Sequence, residues 1–284
     1  MPLLAVLFVC RMAVFMMAPA QGNAMDLSLA LCIEAGALLL LWWALKPLSW
    51  LLRTKPGLVV GAFACLAVVA WTLSQFASFA PQLLPDVPVY VLLLALLAAG
   101  GIAAFAGLPA LYRTGFIIAG AVLAVLLLVA LSLYGFVQAR NLPPLLYDGW
   151  SPVWKMLLNR LPQNVELLAV MLLIKDMNGK KYTAFILAST AGGVSLTVLA
   201  AAVLGGMPAA YPFHAAVTAA QIGVFERVDM LVAGAWLSAM FVKVALFAGL
   251  CVHCVRQLLP ASLRQRHAAI KQPRPREVAA KKEV

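Results

Sequence analysis

The chain has 284 residues, of which 64% are hydrophobic and 11% charged, and its formal net charge is +11. Soluble globular domains carry about 25% charged residues, so this composition excludes an ordinary soluble enzyme or binding domain. The basic residues fall in short loops and in the tail after Arg256. This distribution follows the positive-inside rule of membrane proteins and argues against a nucleic-acid partner.

The apolar runs predict an all-α integral membrane protein with about eight transmembrane helices. Most runs have the length of about 17 to 25 residues that a helix needs to cross a hydrocarbon core of about 30 Å. Lysine and arginine are concentrated in every second loop, which predicts that both termini are cytoplasmic. The predicted spans are 3–20, 27–45, 57–79, 87–106, 114–136, 163–177, 183–205 and 229–254.

The two ends of the chain differ in character. Residues 1–256 are predicted to form the helical bundle, whereas residues 257–284 are polar and basic and are predicted to be a disordered cytoplasmic tail that fixes topology or touches anionic lipid. Near the N-terminus, "MAPAQ" resembles the end of a signal peptide. The basic Arg11 inside the preceding apolar run favours a retained first span, and removal would leave seven spans.

Arg11 and Glu34 are ionisable residues inside the first two predicted spans. A charge at mid-bilayer costs at least about 2.5–3.5 kcal/mol, so each one needs a partner, a water-filled cavity or a function. In an antiparallel helix pair their Cα atoms differ in height by about 8 Å, which two long side chains can bridge. The sequence therefore predicts either a structural ion pair or a ligand site that uses one of these residues.

A second polar group surrounds the start of the sixth predicted span. Pro162 is predicted to end an interfacial helix on the outer face, within the segment 137–162, and Gln163, Asn164 and Glu166 follow it. This span is short, and broken helices often present polar groups to a transporter substrate. An ordinary short helix with a polar cap is the alternative. With Arg11 and Glu34, these three residues form the predicted ligand-binding set.

Three charges and a deep lysine mark the last predicted span. Glu226, Arg227 and Asp229 lie at its start, where the positive end of the helix dipole favours the two acids. These three residues are predicted to form a gate or a subunit contact. Lys243 lies about 14 residues into the span, too deep to reach water easily, so it must face protein or a cavity, and it is predicted to belong to the same gate or subunit contact. Cys251 and Cys254 lack further metal ligands nearby. We expect no metal, no cofactor and no enzymatic activity, since catalytic motifs are absent from the sequence.

Two segments resemble a known family. "NLPPLLYDGWSPVWK" (141–155) and "YPFHAAVTAAQIGVFERVDMLVAGAWLSAMFVKVALF" (211–247) are similar to the B subunits of spore germinant receptors, which are endospore germination permeases of the amino acid–polyamine–organocation superfamily. Weaker similarity lies in "LPDVPVYVLLL" (84–94), where Val87 replaces a usual threonine, and in "AGLPALYRTG" (106–115). The positions that fit the pattern of the second segment are Tyr211, Pro212, Glu226, Arg227, Asp229, Trp236 and Lys243.

The resemblance implies a fold of two inverted five-helix repeats, with an amino-acid-sized site between spans one, three, six and eight. It also implies partner A and C subunits in the inner membrane of a spore, where a nutrient triggers germination. The family has two further helices after the lysine-bearing span, so we expect an incomplete inverted-repeat bundle here. Three functions stay open: a germinant-sensing subunit, an ion-coupled amino-acid transporter, and a structural or degenerate membrane subunit without a ligand.

Overall fold

A computed structural model shows a helical bundle. It describes residues 2–16, 23–84, 86–173, 179–205, 211–218 and 228–259, and no strand occurs in these segments. Two short 3₁₀ helices, Lys46–Arg53 and Ala139–Asn141, lie between α-helices. The α-helices are α1 (Pro2–Met16), α2 (Ala24–Leu45), α3 (Lys55–Leu83), α4 (Val89–Ala106), α5 (Leu108–Tyr134), α6 (Trp150–Leu173), α7 (Gly179–Leu204), α8 (Pro212–Thr218) and α9 (Val228–Leu258).

The predicted class, an all-α integral membrane protein, is confirmed. Six described helices are long and apolar enough to cross a membrane, namely α2, α3, α4, α5, α7 and α9. Of the eight predicted spans, the first corresponds to α1, with 15 described residues, and the sixth to the second half of α6. The incomplete inverted repeat and the cytoplasmic position of the termini stay predictions.

Local side chains fix where the helices begin. The side chain of Asn23 caps α2 by accepting a hydrogen bond of 2.8 Å from the backbone N–H of Asp26. Asp26 is buried, and its carboxylate accepts the backbone N–H of Leu146 at 2.7 Å. Because Leu146 lies in the loop before α6, this bond ties the entry of α6 to the first turn of α2.

The centre of the bundle is formed by α1 and α9. Helix α9 packs against α1, α3, α4 and α5, and α1 also contacts α6 and α7. Helix α2 lies between α6 and α7. The outward faces of α3, α4 and α5 expose large apolar side chains such as Phe63, Ile102 and Leu131. Such faces suit contact with lipid. Helix α1, by contrast, has most of its side chains buried, although it is one of the shortest described helices.

Two glycines allow close approach in the apolar half of the bundle. A Cβ atom on Gly115 of α5 would overlap Cγ2 of Val6 in α1 and lie 3.4 Å from its Cβ. A Cβ atom on Gly100 of α4 would lie 2.8 Å from Cγ1 of Val244 in α9. Membrane helices approach closely at such small residues, and van der Waals packing holds the pair together.

The predicted break at Pro162 is wrong, because α6 runs without interruption from Trp150 to Leu173 with Pro162 inside it. Proline removes one backbone donor, and membrane helices tolerate this when neighbouring groups compensate. The carbonyl that loses its donor is that of Leu158, and the side-chain amides of Gln163 and Asn164 donate to the next two carbonyls, those of Asn159 and Arg160, at 3.0 and 3.4 Å. The outer segment therefore holds no separate interfacial helix; its second part is the first half of α6.

Helix α5 begins earlier than the sequence predicts. It starts at Leu108 instead of residue 114, so Arg113 lies in its second turn and not in a loop. The side chain of Arg113 is exposed. An arginine one or two turns from a helix end can extend its charged group to the membrane surface, so the charge adds little to the cost of insertion.

Candidate functional site

The most polar part of the interior is a cluster of five side chains from four helices, which we call the buried charge cluster. Arg11 comes from α1, Glu34 from α2, Arg160 and Asn164 from α6, and Thr190 from α7. Arg160 and Asn164 are four residues apart and therefore project from the same face of α6. The exposed fraction is 2% or less for each of the three charged side chains.

Glu34 is the centre of the cluster. Its Oε2 accepts a hydrogen bond of 3.0 Å from Nε of Arg160. Its Oε1 accepts one of 2.9 Å from the amide of Asn164 and a longer one of 3.4 Å from Nη2 of Arg11. The same Nη2 donates to the hydroxyl of Thr190 at 2.8 Å. One carboxylate thus connects α1, α2 and α6, and Arg11 extends the connection to α7.

The cluster carries more positive than negative charge. Two guanidinium groups face one carboxylate, which leaves an excess of one positive charge among the described side chains. Within the described part of the structure, Nη1 of Arg11, Nη1 of Arg160 and Oδ1 of Asn164 are buried without a hydrogen-bond partner. An unsatisfied buried polar group costs about 1–3 kcal/mol, and more when it is charged. The arrangement can therefore accept an anionic group together with a hydrogen-bond donor.

The structure confirms the ion pair between Arg11 and Glu34 and adds residues that the sequence did not single out. Arg160 falls within the segment 137–162, for which an interfacial helix on the outer face is predicted, but it is buried on Glu34. Thr190 is a single hydroxyl in an apolar helix and gives no sequence signal by itself. The spacing of Arg160 and Asn164 on one helical face is the signal that reveals Arg160, once α6 is read as continuous.

Three further site residues are predicted from the sequence, Gln163 and Glu166 for the ligand and Lys243 for the gate or subunit contact. Gln163 is partly buried, and its amide donates to the carbonyl of Asn159 within α6. Glu166 belongs to α6, and its side chain lies outside the described residues. Lys243 is buried in α9, as expected of a lysine too deep to reach water. The role of Gln163 and Glu166 in ligand binding, and that of Lys243 in a gate or subunit contact, stay predictions.

Of the predicted gate, Asp229 is described, whereas Glu226 and Arg227 lie outside the described residues. Asp229 is in the first turn of α9, close to His214 of α8. Burial lowers the pKa of the His214 imidazole below its usual value, and the negative charge of Asp229 partly opposes this by raising it. The negative charge of Asp229 in α9 thus acts on His214 in α8 at this end of the bundle.

Aromatic rings hold the same region together. The ring of Phe79 in α3 lies 4.9 Å from that of Tyr211 and 5.1 Å from that of Trp236, centroid to centroid. Trp236 also stacks on Phe76 at 5.1 Å, with the two planes 3° apart. Such pairs contribute about 0.5–1.5 kcal/mol each beyond burial of area. Two positions of the resemblance motif thus pack against α3 through Phe79: Tyr211, directly before α8, and Trp236 in α9.

Comparison with known proteins decides the family. A model of the spore germination protein family, a family of spore permeases, matches residues 62–271, about three quarters of the chain. The chain belongs to this family. It is therefore an integral membrane protein of spore germination, from a family of permeases and receptor-type membrane proteins. No curated protein and no solved structure matches the chain.

The residues that the family model matches include only part of the buried charge cluster of this spore germination protein. Arg160, Asn164 and Thr190 lie within the matched residues, whereas Arg11 and Glu34 precede them. Among the described residues, no group of three or more histidine, cysteine, aspartate or glutamate side chains is placed to hold a metal ion. What the cluster presents is a pair of guanidinium groups around one carboxylate, which is suited to binding and not to metal chemistry.

Proposed function

We propose that this protein is the nutrient-sensing membrane subunit of a spore germinant receptor and that the buried charge cluster binds the nutrient. The observation that carries the proposal is the set of buried, unpartnered groups on Arg11, Arg160 and Asn164 in the described structure. A permease-family bundle has no structural need for an excess buried charge. A ligand that satisfies these groups gives them a function.

The ligand chemistry follows from these atoms. A carboxylate accepts hydrogen bonds from guanidinium N–H groups, and charged hydrogen bonds of this kind are worth about 1.5–3 kcal/mol each. The Nη1 groups of Arg11 and Arg160 supply such donors, and Oδ1 of Asn164 can accept a hydrogen bond from an ammonium group. A free amino acid carries both groups on the same carbon atom. We therefore infer that a zwitterionic amino acid is the nutrient.

The signal starts when the ligand carboxylate competes with Glu34 for the two guanidinium groups. Because Glu34 connects α1, α2 and α6, this competition changes which helices are tied to each other. A ligand shifts a conformational equilibrium only by binding two states with different affinity, and an exchange of charge partners supplies that difference. All charged atoms of the cluster are almost fully buried, so entry requires that the helices separate.

The partners follow from the family resemblance. We propose that the protein works with A and C subunits in the spore inner membrane and that the start of α9, with Glu226, Arg227 and Asp229, forms the outer gate or a subunit contact. The coupling of Asp229 to His214 supports this, since it links the motif to a second helix. Both termini are placed on the cytoplasmic side by the charge of the loops.

The test uses spores whose only copy of this gene carries Arg160→Gln. We expect that these spores no longer germinate with the amino acid that triggers the wild type, while the protein is still present in their membranes. Arg140→Gln is the matched control, because Arg140 is exposed and pairs locally with Gln138. A normal response of the Arg160→Gln spores, with normal protein abundance, would contradict the proposal.

An ion-coupled amino-acid transporter is the competing function, with the buried Glu34 or Glu166 as the coupling carboxylate. Purified protein in liposomes separates the two. The sensor proposal predicts that labelled amino acid binds but does not accumulate under a proton or sodium gradient. Accumulation that depends on the gradient and on Glu34 would favour the transporter instead.

A further inference from the structure

A second polar feature lies far along α2 from Glu34, where the end of α2 meets the start of α7. A cavity of about 1000 Å³ opens there between the two helices. Its lining includes Trp42, Trp43, Lys46, Lys180 and Leu187. The ring of Trp42 packs on Tyr182 at a centroid distance of 4.6 Å, and Gly179 leaves room for this ring, since a Cβ atom would lie 3.4 Å from its Nε1.

The cavity is amphipathic, with a charged end and an apolar end. Lys46 and Lys180 are exposed and give it two positive charges. Towards the membrane, Trp43 is 83% exposed and Leu187 is 55% exposed, although both are large apolar side chains. Tryptophan is enriched at the level of lipid headgroups, where its ring meets both apolar and polar surroundings. The cavity therefore lies at the boundary between the hydrocarbon core and the lipid headgroups.

The side of the membrane follows from the charges. Lys46 begins the 3₁₀ helix after α2, and Lys180 lies in the first turn of α7. Both belong to the loops that the positive-inside rule places at the cytoplasmic surface. That leaflet contains the anionic lipids of the membrane, and basic pockets between transmembrane helices on this side bind anionic headgroups.

We propose that this cavity is a binding site for an anionic phospholipid. The phosphate group lies between Lys46 and Lys180, and an acyl chain follows the exposed face of Trp43 and Leu187 into the bilayer. The lipid is chosen over a soluble anion because the apolar part of the lining is exposed towards the hydrocarbon core. It is chosen over a partner protein because two lysines beside membrane-facing tryptophan match the charge and polarity of a lipid.

The lipid links α2 to α7 on the cytoplasmic side. These are the helices that contribute Glu34 and Thr190 to the buried charge cluster. A lipid held between their ends restricts how far they separate, independently of any nutrient. The site does not depend on the proposed sensing function, and its test reads lipid binding directly.

The test measures which lipids stay bound to the full chain. The protein is placed in mixed micelles with equal amounts of phosphatidylglycerol and phosphatidylcholine, and native mass spectrometry reports the bound lipid. We expect the wild type to retain phosphatidylglycerol preferentially. Each basic group near an anionic surface contributes about fivefold in affinity, so Lys46→Gln with Lys180→Gln is expected to weaken retention by about 25-fold.

Charge-matched controls make the result specific. Lys55→Gln with Lys155→Gln removes two exposed lysines that do not line the cavity, and we expect it to change retention less than twofold. Trp43→Ala is expected to weaken retention of both lipids. All substituted side chains are exposed, so the variants should fold, which their unfolding temperatures will verify.

Three results would overturn the proposal. The wild type could retain both lipids equally, or the Lys46 and Lys180 variant could keep the preference for phosphatidylglycerol. Competition by glycerol phosphate at concentrations that leave the mixed micelles intact would identify a site for a soluble anion. Protection of Lys46 and Lys180 from amine labelling by a co-purified protein, and not by lipid, would identify a subunit interface.

Discussion

The two halves of the bundle are held together by different physics. Where α9 meets α3, α4 and α5, and where α1 meets α5, the contacts are aromatic rings, small residues and buried aliphatic side chains. Where α1 and α2 meet α6 and α7, a charged network replaces part of this packing. Van der Waals packing at small residues and hydrogen bonds between helices both hold membrane helices together. The charged half differs in that it leaves buried groups of Arg11, Arg160 and Asn164 unsatisfied among the described residues, and the proposed ligand site rests on this difference.

Glu34→Gln, in the charged half of the bundle, is expected to have the largest effect on the free energy of unfolding. This change leaves two buried guanidinium groups without a carboxylate, and removal of one partner of a buried ion pair costs about 3–5 kcal/mol. We expect a loss of this size in the free energy of unfolding in detergent. Asp86→Asn, an exposed acid, is the control and should cost close to nothing.

The double variant Glu34→Gln with Arg160→Gln sharpens this prediction. Removing Arg160 as well takes away one of the uncompensated charges, so the double variant should be more stable than the sum of the two single losses implies. Additive losses would mean that the three charged groups do not act as one network.

The apolar half is tested by Gly115→Ala. The new Cβ atom would overlap Val6, whose backbone is close behind it, and overpacking of this kind costs about 1–3 kcal/mol. Gly120→Ala on the same helix is the matched control, since nothing lies within 4 Å of its added Cβ. In a helix this second change should stabilise by up to about 1 kcal/mol. Unfolding in detergent that gives the same sign for both variants would show that α1 and α5 do not approach closely at Gly115.

The smallest expected effect concerns the contact between α8 and α9. Asp229 raises the pKa of His214 against the lowering effect of burial. Asp229→Asn should therefore lower this pKa further, so that His214 loses its proton at a lower pH. The rate at which diethyl pyrocarbonate modifies the neutral imidazole, measured against pH with His253 and His267 replaced by glutamine, reports the midpoint. An unchanged or higher midpoint would show that the charge of Asp229 does not raise the pKa of His214.

The sequence predicted the membrane class and the pairing of Arg11 with Glu34, because insertion energy forces deep charges to find partners. It failed at α6, where Pro162 suggested a helix end and the charges of 137–162 suggested a surface segment. The helix continues past Pro162, and Arg160 and Asn164 on either side of the proline bind Glu34 of α2, which holds this part of α6 in the bundle. A contact of this kind depends on another helix, so it leaves no pattern within the segment itself. Thr190 was beyond sequence reasoning for the same reason.

The central claim, that Arg11 and Arg160 receive the carboxylate of an amino acid, is tested most directly by equilibrium binding to the protein in lipid nanodiscs. A panel of labelled amino acids is compared with amines that lack only the carboxylate. The account predicts that at least one amino acid binds and that its amine does not. It also predicts that Arg160→Gln weakens binding about tenfold to 100-fold, whereas Arg140→Gln has no effect. Equal binding of an amino acid and its amine, or unchanged binding by Arg160→Gln, would contradict it.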